Sequence, residues 1–189
     1  MTTPDTALII IDVQEEYFSG ALQIEHPPRD VSLARIGAAM DAATAAGLPV
    51  VVIRQNGPDA MFTTGTDLWE LRPEVADRHR DVLFDKELPG AFTGTDLGAW
   101  LAERGIGHVT IAGYMTNVCC DTTARQAVHQ GLGVTFLHDA TGVPAQPGVD
   151  GAPIAAEGLH HAALAPLAMI GIELSTTEDW IGRHRAVAA

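Results

Sequence analysis

The sequence predicts a single α/β domain over residues 1–189, with a three-layer, doubly wound (Rossmann-like) fold. In this fold, helices cover both faces of a six-stranded, mainly parallel sheet. Two observations lead to this prediction. Short aliphatic segments alternate with longer helical patterns along the chain, and those segments are almost continuously apolar, as in parallel strands buried on both faces. Six strands are too few for an eight-stranded barrel, which leaves an open sheet.

The first half of the chain supplies three strands and one long helix. The run ALIII at residues 7–11 is short and wholly apolar, which indicates a buried strand. Residues 29–47 follow two prolines and end in glycine, the start and stop signals of a helix. PVVVIR at 49–54 is rich in β-branched residues and predicts the second strand, and DVLFDK at 81–86 predicts the third.

The alternation continues from residue 95 onwards. A helix is predicted at 95–105, with a threonine placed to cap it, and the strand HVTIAGY follows at 108–114. The next helix covers 117–131 and is closed by a glycine. The apolar run GVTFLHD at 133–139 then predicts a further strand.

The remaining segments complete the fold and leave two irregular stretches. A helix is predicted at 155–167, the apolar run MIGIEL predicts a strand at 169–174, and a final helix covers 176–185. Residues 55–80 and 140–154 show no regular pattern. Loops of this length in a compact domain usually serve a site or an oligomer contact.

Charge and cysteine content exclude several classes of function. The formal net charge is −13, so the chain lacks the basic surface that nucleic acids and anionic membranes require. The apolar start of the chain is short and ends in Asp12, which fits neither a signal peptide nor a membrane span. The two cysteines are adjacent and cannot easily pair, which predicts a reduced, cytoplasmic protein.

The mean hydropathy is +0.12 although 24 residues are acidic. This balance indicates that a subunit interface is buried, and we therefore expect a homodimer or a larger homo-oligomer.

Three reactive side chains are predicted to meet at one edge of the sheet. In open α/β sheets, ligands bind at the carboxyl ends of the strands. Asp12 ends the first strand, Lys86 ends the third, and Cys119 lies just beyond the fourth. A carboxylate, an amine and a thiol therefore converge there.

Helical spacing separates the two cysteines. Cys120, Ala124, Ala127 and Val128 follow the i, i+4, i+7, i+8 spacing of a stripe packed on the sheet, which predicts that Cys120 is a core residue. Cys119 is rotated by about 100° from this stripe and lies at a helix N-terminus, where a thiol pKa is lowered. Position alone leaves two interpretations open: a reactive Cys119, or two inert buried cysteines.

Three sequence motifs together resemble the isochorismatase-like cysteine hydrolase family. They are ALIIIDVQEEYF, DKELPGAFTGTDL, and IAGYMTNVCCDTTARQA followed by DAT. The similarity extends over nearly the whole chain, including GAPIAAEGLHHAAL, and the order and spacing of the motifs make it specific.

The resemblance implies a catalytic triad of Asp12, Lys86 and Cys119. It also implies a cis peptide bond between Tyr114 and Met115, and an oxyanion hole formed by the backbone amides of Met115 and Cys119. Members with this triad hydrolyse carbon–nitrogen bonds of small molecules through a thioester. No cofactor is expected.

Two departures from related members narrow the expected chemistry. Nicotinamidases of the family carry an Asp-x-His metal motif after the second strand, whereas this chain reads IRQNGPDAMF there and has no histidine in residues 27–78. We therefore expect no metal, and we expect surface or packing roles for the pair His160 and His161. Members that cleave a vinyl ether lack the cysteine, so Cys119 favours amide or carbamoyl chemistry.

The sequence thus predicts a metal-independent amidohydrolase of a small amide, lactam or ureido compound. Its motif GYMT…CCDTTARQA is most similar to that of streptothricin hydrolases. The alternatives are a non-hydrolytic thiol or redox-sensing protein and an ether-cleaving hydrolase. A dinucleotide-binding module is disfavoured because no G-x-G-x-x-G follows a strand. The expected substrate-binding residues are Tyr17, Gln55, Trp69, Phe92, Tyr114 and Asn117.

Overall fold

A six-stranded, fully parallel sheet forms the centre of the computed structural model, which describes residues 5–57 and 61–187. The strands are β1 (Thr6–Ile11), β2 (Val50–Gln55), β3 (Val82–Lys86), β4 (His108–Tyr114), β5 (Gly133–Gly142), β6 (Gln146–Pro147), β7 (Pro153–Ile154) and β8 (Glu173–Ser175). The order across the sheet is β3–β2–β1–β4–β5–β8, and β6 and β7 form a separate antiparallel pair. The predicted fold class is confirmed.

Helices cover both faces of this sheet. They are α1 (Glu16–Ser19), α2 (Arg29–Ala45), α3 (Pro73–Ala76), α4 (Leu97–Glu103), α5 (Asp121–His129), α6 (Ala156–Met169) and α7 (Thr177–Val187). One core cluster packs Met40 of α2 and Trp180 of α7 against one face, and a second packs Leu101 of α4 and Leu167 of α6 against the other. No helix in the described ranges is long and apolar enough to cross a membrane.

The strand order reverses between β1 and β4, which opens a crevice at the carboxyl ends of these two strands. The two strands approach very closely there. Gly113 has φ +117, and a β-carbon at this position would lie 2.0 Å from the Ile11 carbonyl oxygen. Only glycine fits between the strands, so this residue allows the end of β4 to reach the crevice.

The prediction of a sixth strand at 169–174 is wrong in its boundaries. Helix α6 continues to Met169, and the strand covers only Glu173–Ser175. The apolar side chains of Met169 and Ile170 are exposed, at 87% and 41%, so they do not enter the sheet. Their hydropathy resembles that of a buried strand, whereas their place in the fold is a helix end closed by Gly171 at φ +86.

Short elements divide the two stretches that the sequence left irregular. Residues 55–80 contain a 3₁₀ turn at Asp67–Trp69 and helix α3, while 140–154 contain the end of β5 and the β6–β7 pair. The predicted helix at 117–131 is a π-helical turn at Thr116–Cys120 followed by α5. Residues 58–60 and both ends of the predicted 1–189 domain lie outside the described ranges.

Candidate active site

The carboxylate of Asp12 lies at the crevice because β1 ends directly before it. Its backbone adopts φ 51, in the left-handed region that aspartate tolerates better than most residues. The residue is fully buried. A buried carboxylate in an uncommon backbone conformation is typical of a functional position.

Lys86 reaches Asp12 from the end of β3. Its Nζ lies 2.8 Å from Asp12 Oδ2, and neither side chain has any exposed surface. Lys86 is the only lysine of the chain, whose surface cations are arginines. A buried lysine pairs with a counter-charge because an isolated buried ammonium costs several kcal/mol.

Cys119 completes a contiguous group of three. Its Sγ lies 3.4 Å from Lys86 Nζ, and 6% of the residue is exposed. Cys120 is completely buried and packs in the same core cluster as Ala124 and Ala127, which confirms the predicted stripe. Only Cys119 therefore contacts the polar pair.

The expectation of a lowered Cys119 pKa is wrong. Burial raises the pKa of the Cys119 thiol, the Asp12 carboxylate raises it further, and Lys86 only partly opposes both. Burial also raises the pKa of Asp12, against the opposing charge of Lys86. The cost of moving a thiolate out of water exceeds the stabilisation that a helix N-terminus gives it. The resting thiol is therefore neutral.

The carboxylate of Asp12 keeps free lone pairs despite the ion pair. Nζ of Lys86 is close to Oδ2, yet neither carboxylate oxygen accepts a hydrogen bond of normal geometry from a described residue. A buried acceptor is rarely left in this state unless it has a chemical role. Asp12 can therefore accept a proton from a neighbour.

The π-helical turn fixes the backbone around Cys119. The amides of Val118 and Cys120 both donate to the Met115 carbonyl, at 3.2 and 3.1 Å. The peptide bond between Tyr114 and Met115 is cis, as the resemblance implied. No acceptor among the described residues is found for the Met115 N–H. This amide is available to a ligand.

Comparisons with known proteins identify the family of this chain. The sequence model of the isochorismatase domain matches residues 6–179. The chain belongs to the isochorismatase family. A family member from Burkholderia xenovorans has a crystal structure that superposes with a TM-score of 0.92 at 45% identity, covering 98% of this chain and 89% of that chain.

Three curated relatives show the range of the family. A secreted isochorismatase effector from Verticillium dahliae is 35% identical over 155 residues, 81% of this chain and 80% of that protein. Streptothricin hydrolase from Streptomyces noursei is 32% identical over 150 residues, 77% of this chain and 59% of that protein. The ureidoacrylate amidohydrolase RutB from Variovorax paradoxus is 30% identical over 173 residues, 72% of this chain and 68% of that protein.

Gln55, predicted to bind substrate, holds the Lys86 side chain in this isochorismatase-family chain. Lys86 Nζ donates to Gln55 Oε1, and the two residues are register partners at the ends of β2 and β3. Gln14 fixes Gln55 in turn, because its side-chain amide bonds to both the N–H and the C=O of Gln55, each at 2.9 Å. Sequence reasoning missed Gln14, although it follows Asp12 by only two positions.

Trp69, also predicted to bind substrate, contacts residues at the end of β2 and just beyond it. Its Nε1–H donates to Asn56 Oδ1 at 2.8 Å, and the Arg54 guanidinium lies 3.6 Å above the ring. The indole therefore links Trp69 to the residues on either side of Gln55.

The other predicted pocket residues differ in their surroundings. Tyr17 packs on Phe62 with ring centroids 5.2 Å apart, and burial, followed by the charges of Cys119 and Asp12, raises its pKa. Phe92 packs in the core cluster of Cys119 and is tied to α5 through a hydrogen bond from its N–H to Gln126. Asn117 donates to Gln146 at 3.1 Å.

The Tyr114 side chain is buried in the core, and its contact with substrate stays a prediction. Tyr114 has no exposed surface, and its hydroxyl forms a 2.9 Å hydrogen bond with Ser32 of α2. Burial raises the pKa of Tyr114, and the hydrogen bond with Ser32 only partly opposes this rise. Because side chains alternate along β4, the Tyr114 ring lies in the core cluster on one face of the sheet, and Cys120 lies in the cluster on the other face.

One group of possible metal ligands is found in the described part of the chain, and it contains no triad residue. It consists of His26, Glu157 and His161. The neighbouring His160 is buried and bonds through Nδ1 to the Thr116 hydroxyl at 3.0 Å, a packing role as expected. Burial lowers the pKa of His160 to about 4.

Proposed function

We propose that this isochorismatase-family chain is a cysteine-dependent hydrolase of small-molecule C–N bonds, with Asp12, Lys86 and Cys119 as its triad. Amides, lactams and ureido compounds are the substrate class, and a thioester is the intermediate. One observation carries the proposal: a fully buried Asp12–Lys86 pair whose ammonium also contacts Cys119 Sγ at 3.4 Å.

The first step is proton transfer coupled to nucleophilic attack. Asp12 takes the thiol proton of Cys119 as sulfur bonds to the substrate carbonyl carbon. A neutral resting thiol makes this base necessary, since the raised pKa of Cys119 leaves little thiolate to attack unaided. Lys86 keeps Asp12 ionised between turnovers.

The second step breaks the C–N bond and regenerates the enzyme. Protonated Asp12 gives its proton to the leaving nitrogen, and the resulting carboxylate activates a water that hydrolyses the thioester. The amides of Met115 and Cys119 would stabilise the oxyanion of each tetrahedral intermediate. The Met115 N–H, which has no acceptor among the described residues, supports this assignment.

Two observations favour hydrolysis of a C–N bond: the presence of the Cys119 thiol and the names of the relatives. Ether-cleaving members that the sequence resembles lack the cysteine, whereas this chain has it in contact with Lys86. Relatives include proteins named streptothricin hydrolase and ureidoacrylate amidohydrolase. We therefore propose streptothricin-type lactams and ureido acids as the first compounds to test, and the acidic surface is compatible with a cationic substrate.

A thiol sensor fits the geometry less well. Redox-sensing cysteines are exposed and have a low pKa, whereas Cys119 is 6% exposed and burial raises its pKa. A sensor would also have no use for a buried ion pair at the sulfur.

The test is a screen of amides, lactams and ureido compounds for release of ammonia or amine. Wild type should turn over at least one compound, and Asp12→Asn and Lys86→Met should each lower kcat by at least about a hundredfold. Circular dichroism verifies that both variants fold. Near-normal turnover in either folded variant would remove that residue from the triad.

Metal independence is tested on the same substrate. Activity should survive exhaustive EDTA treatment, because the proposed steps need only the carboxylate, the ammonium and the thiol. Loss of turnover on chelation, with recovery on adding back a divalent ion, would show that the proposed mechanism is incomplete.

A further inference from the structure

Three side chains from two distant segments converge outside the triad. Glu157 and His161 are four residues apart on α6, a spacing that places side chains on the same helix face. His26 approaches them from the segment before α2. Ligand atoms of all three lie within 4.8 Å of one another.

The position of His26 is fixed by its backbone. Its N–H donates to the Val143 carbonyl at 3.1 Å, and the Val143 N–H donates to the His26 carbonyl at 2.9 Å. The end of β5 therefore anchors the third side chain opposite α6. The histidine rings of His26 and His161 have centroids 5.8 Å apart.

The imidazole nitrogens and carboxylate oxygens of this group have no polar partner among the described residues. Among the described residues, the side chains of His26, Glu157 and His161 have no hydrogen-bond or ion-pair partner, and Glu157 and His161 are exposed. Two imidazoles and a carboxylate with free lone pairs form a donor set that zinc uses in proteins. Calcium and magnesium prefer all-oxygen sites.

The spacing needs only small side-chain movements to bind a cation. Donors of a tetrahedral zinc ion lie about 3.4 Å apart when the bonds are about 2.1 Å, compared with separations of up to 4.8 Å here. Rotation of exposed side chains can close this gap, while the backbone of α6 and of His26 stays in place.

We propose that His26, Glu157 and His161 form a binding site for one divalent transition-metal ion of the zinc class, with water in the fourth position. His160 lies beneath the site, its ring 5.4 Å from that of His26, and bonds to Thr116 in the turn that carries Cys119. The site is separate from the triad and is not part of the proposed hydrolysis.

The experiment is calorimetric titration of tag-free, EDTA-stripped and desalted protein with zinc chloride. All proteins carry Cys119→Ala, which removes the accessible thiol as a competing ligand. We expect one equivalent to bind, and we expect His161→Ala, Glu157→Gln and His26→Ala each to weaken binding by at least about tenfold. His129→Ala, which changes an exposed histidine on α5, is the matched control and should bind as tightly as the parent.

Cobalt(II) gives a second readout that does not depend on the variants. A tetrahedral site of this donor set should produce visible absorption on adding one equivalent of cobalt, and magnesium should not compete. Absence of saturable zinc binding by the parent, or affinity unchanged in both folded α6 variants, would overturn the proposal whether or not the hydrolase activity is found.

Discussion

At the residue scale, the proposed chemistry depends on burying Asp12, Lys86 and Cys119 together. Asp12 and Lys86 are both inaccessible and 2.8 Å apart, so their charges offset each other without water. Burial raises the pKa of Cys119 and of Asp12. In the proposed mechanism, reactivity then comes from Asp12 as proton acceptor for the thiol, and a preformed thiolate is not required.

The raised Asp12 pKa predicts the acid side of the pH profile. Asp12 must be ionised to act as base, so kcat/KM should fall as the pH drops through its folded pKa. Because burial raises that pKa, the midpoint should lie above the ordinary aspartate value of about 3.9. The measurement is kcat/KM against pH in wild type, over the range in which the fold is intact.

Asp12→Asn is the control for this assignment. Its residual activity should lack the acid limb, because the titrating base is gone. A wild-type midpoint at or below the ordinary aspartate value, or an identical limb in the variant, would contradict the role of Asp12. The pH dependence of stability has the opposite sign: because the folded pKa of Asp12 is raised, its contribution to stability is present below the unfolded pKa and is lost as pH rises through the folded pKa.

The three polar side chains of the candidate site can be predicted from the sequence more easily than the residues around them. Asp12, Lys86 and Cys119 are unusual residue types at strand ends, and the structure brings them together. The surroundings of Tyr114 could not be predicted, because an aromatic residue at a strand end is compatible with either a pocket or a core, and its hydrogen bond with Ser32 is visible only in the structure. The role of Gln55 depends on its cross-strand partner, which a linear sequence does not show.

At the scale of elements, Gln14 joins β2 to the segment that carries Trp69. Its amide donates to the carbonyls of Gln55 and Trp69, at 2.9 and 2.8 Å, and the residue is fully buried. Gln14→Leu should lower the free energy of unfolding by at least about 2 kcal/mol, because buried backbone groups lose their partners. Denaturant unfolding measures this change.

Gln130→Leu provides the comparison, since Gln130 is exposed at the end of α5. It should change the free energy of unfolding by less than about 0.5 kcal/mol. Equal effects of the two substitutions would show that Gln14 does not join these segments.

Element boundaries show where apolar patterns mislead. The strands β1, β2 and β4 were predicted closely because their residues are buried on both faces, so the pattern is continuous. The run at 169–174 looks similar, but Met169 is 87% exposed at a helix end. Hydropathy alone cannot separate an exposed helix terminus from a strand of the same length. The four-residue helices α1 and α3 are too short to show a period.

At the scale of the whole molecule, exposed apolar side chains support a proposed homodimer or larger homo-oligomer. Val149, Met169 and Ile170 are exposed large hydrophobic residues. Light scattering after size exclusion should give a mass of at least twice the 19.9 kDa of one chain. A monomer mass across the accessible concentration range would contradict this prediction. The cytoplasmic location also stays a prediction, and one relative is named a secreted effector.

The most direct test of the central claim compares two neighbouring cysteines on the first substrate that the screen identifies. Cys119 contacts the Asp12–Lys86 pair, while Cys120 is fully buried in the core, where valine of similar volume should be tolerated. We predict that Cys119→Ala abolishes turnover and that Cys120→Val retains most of it, with both proteins folded. Turnover by folded Cys119→Ala, or its loss in folded Cys120→Val, would contradict the assignment of Cys119 as nucleophile.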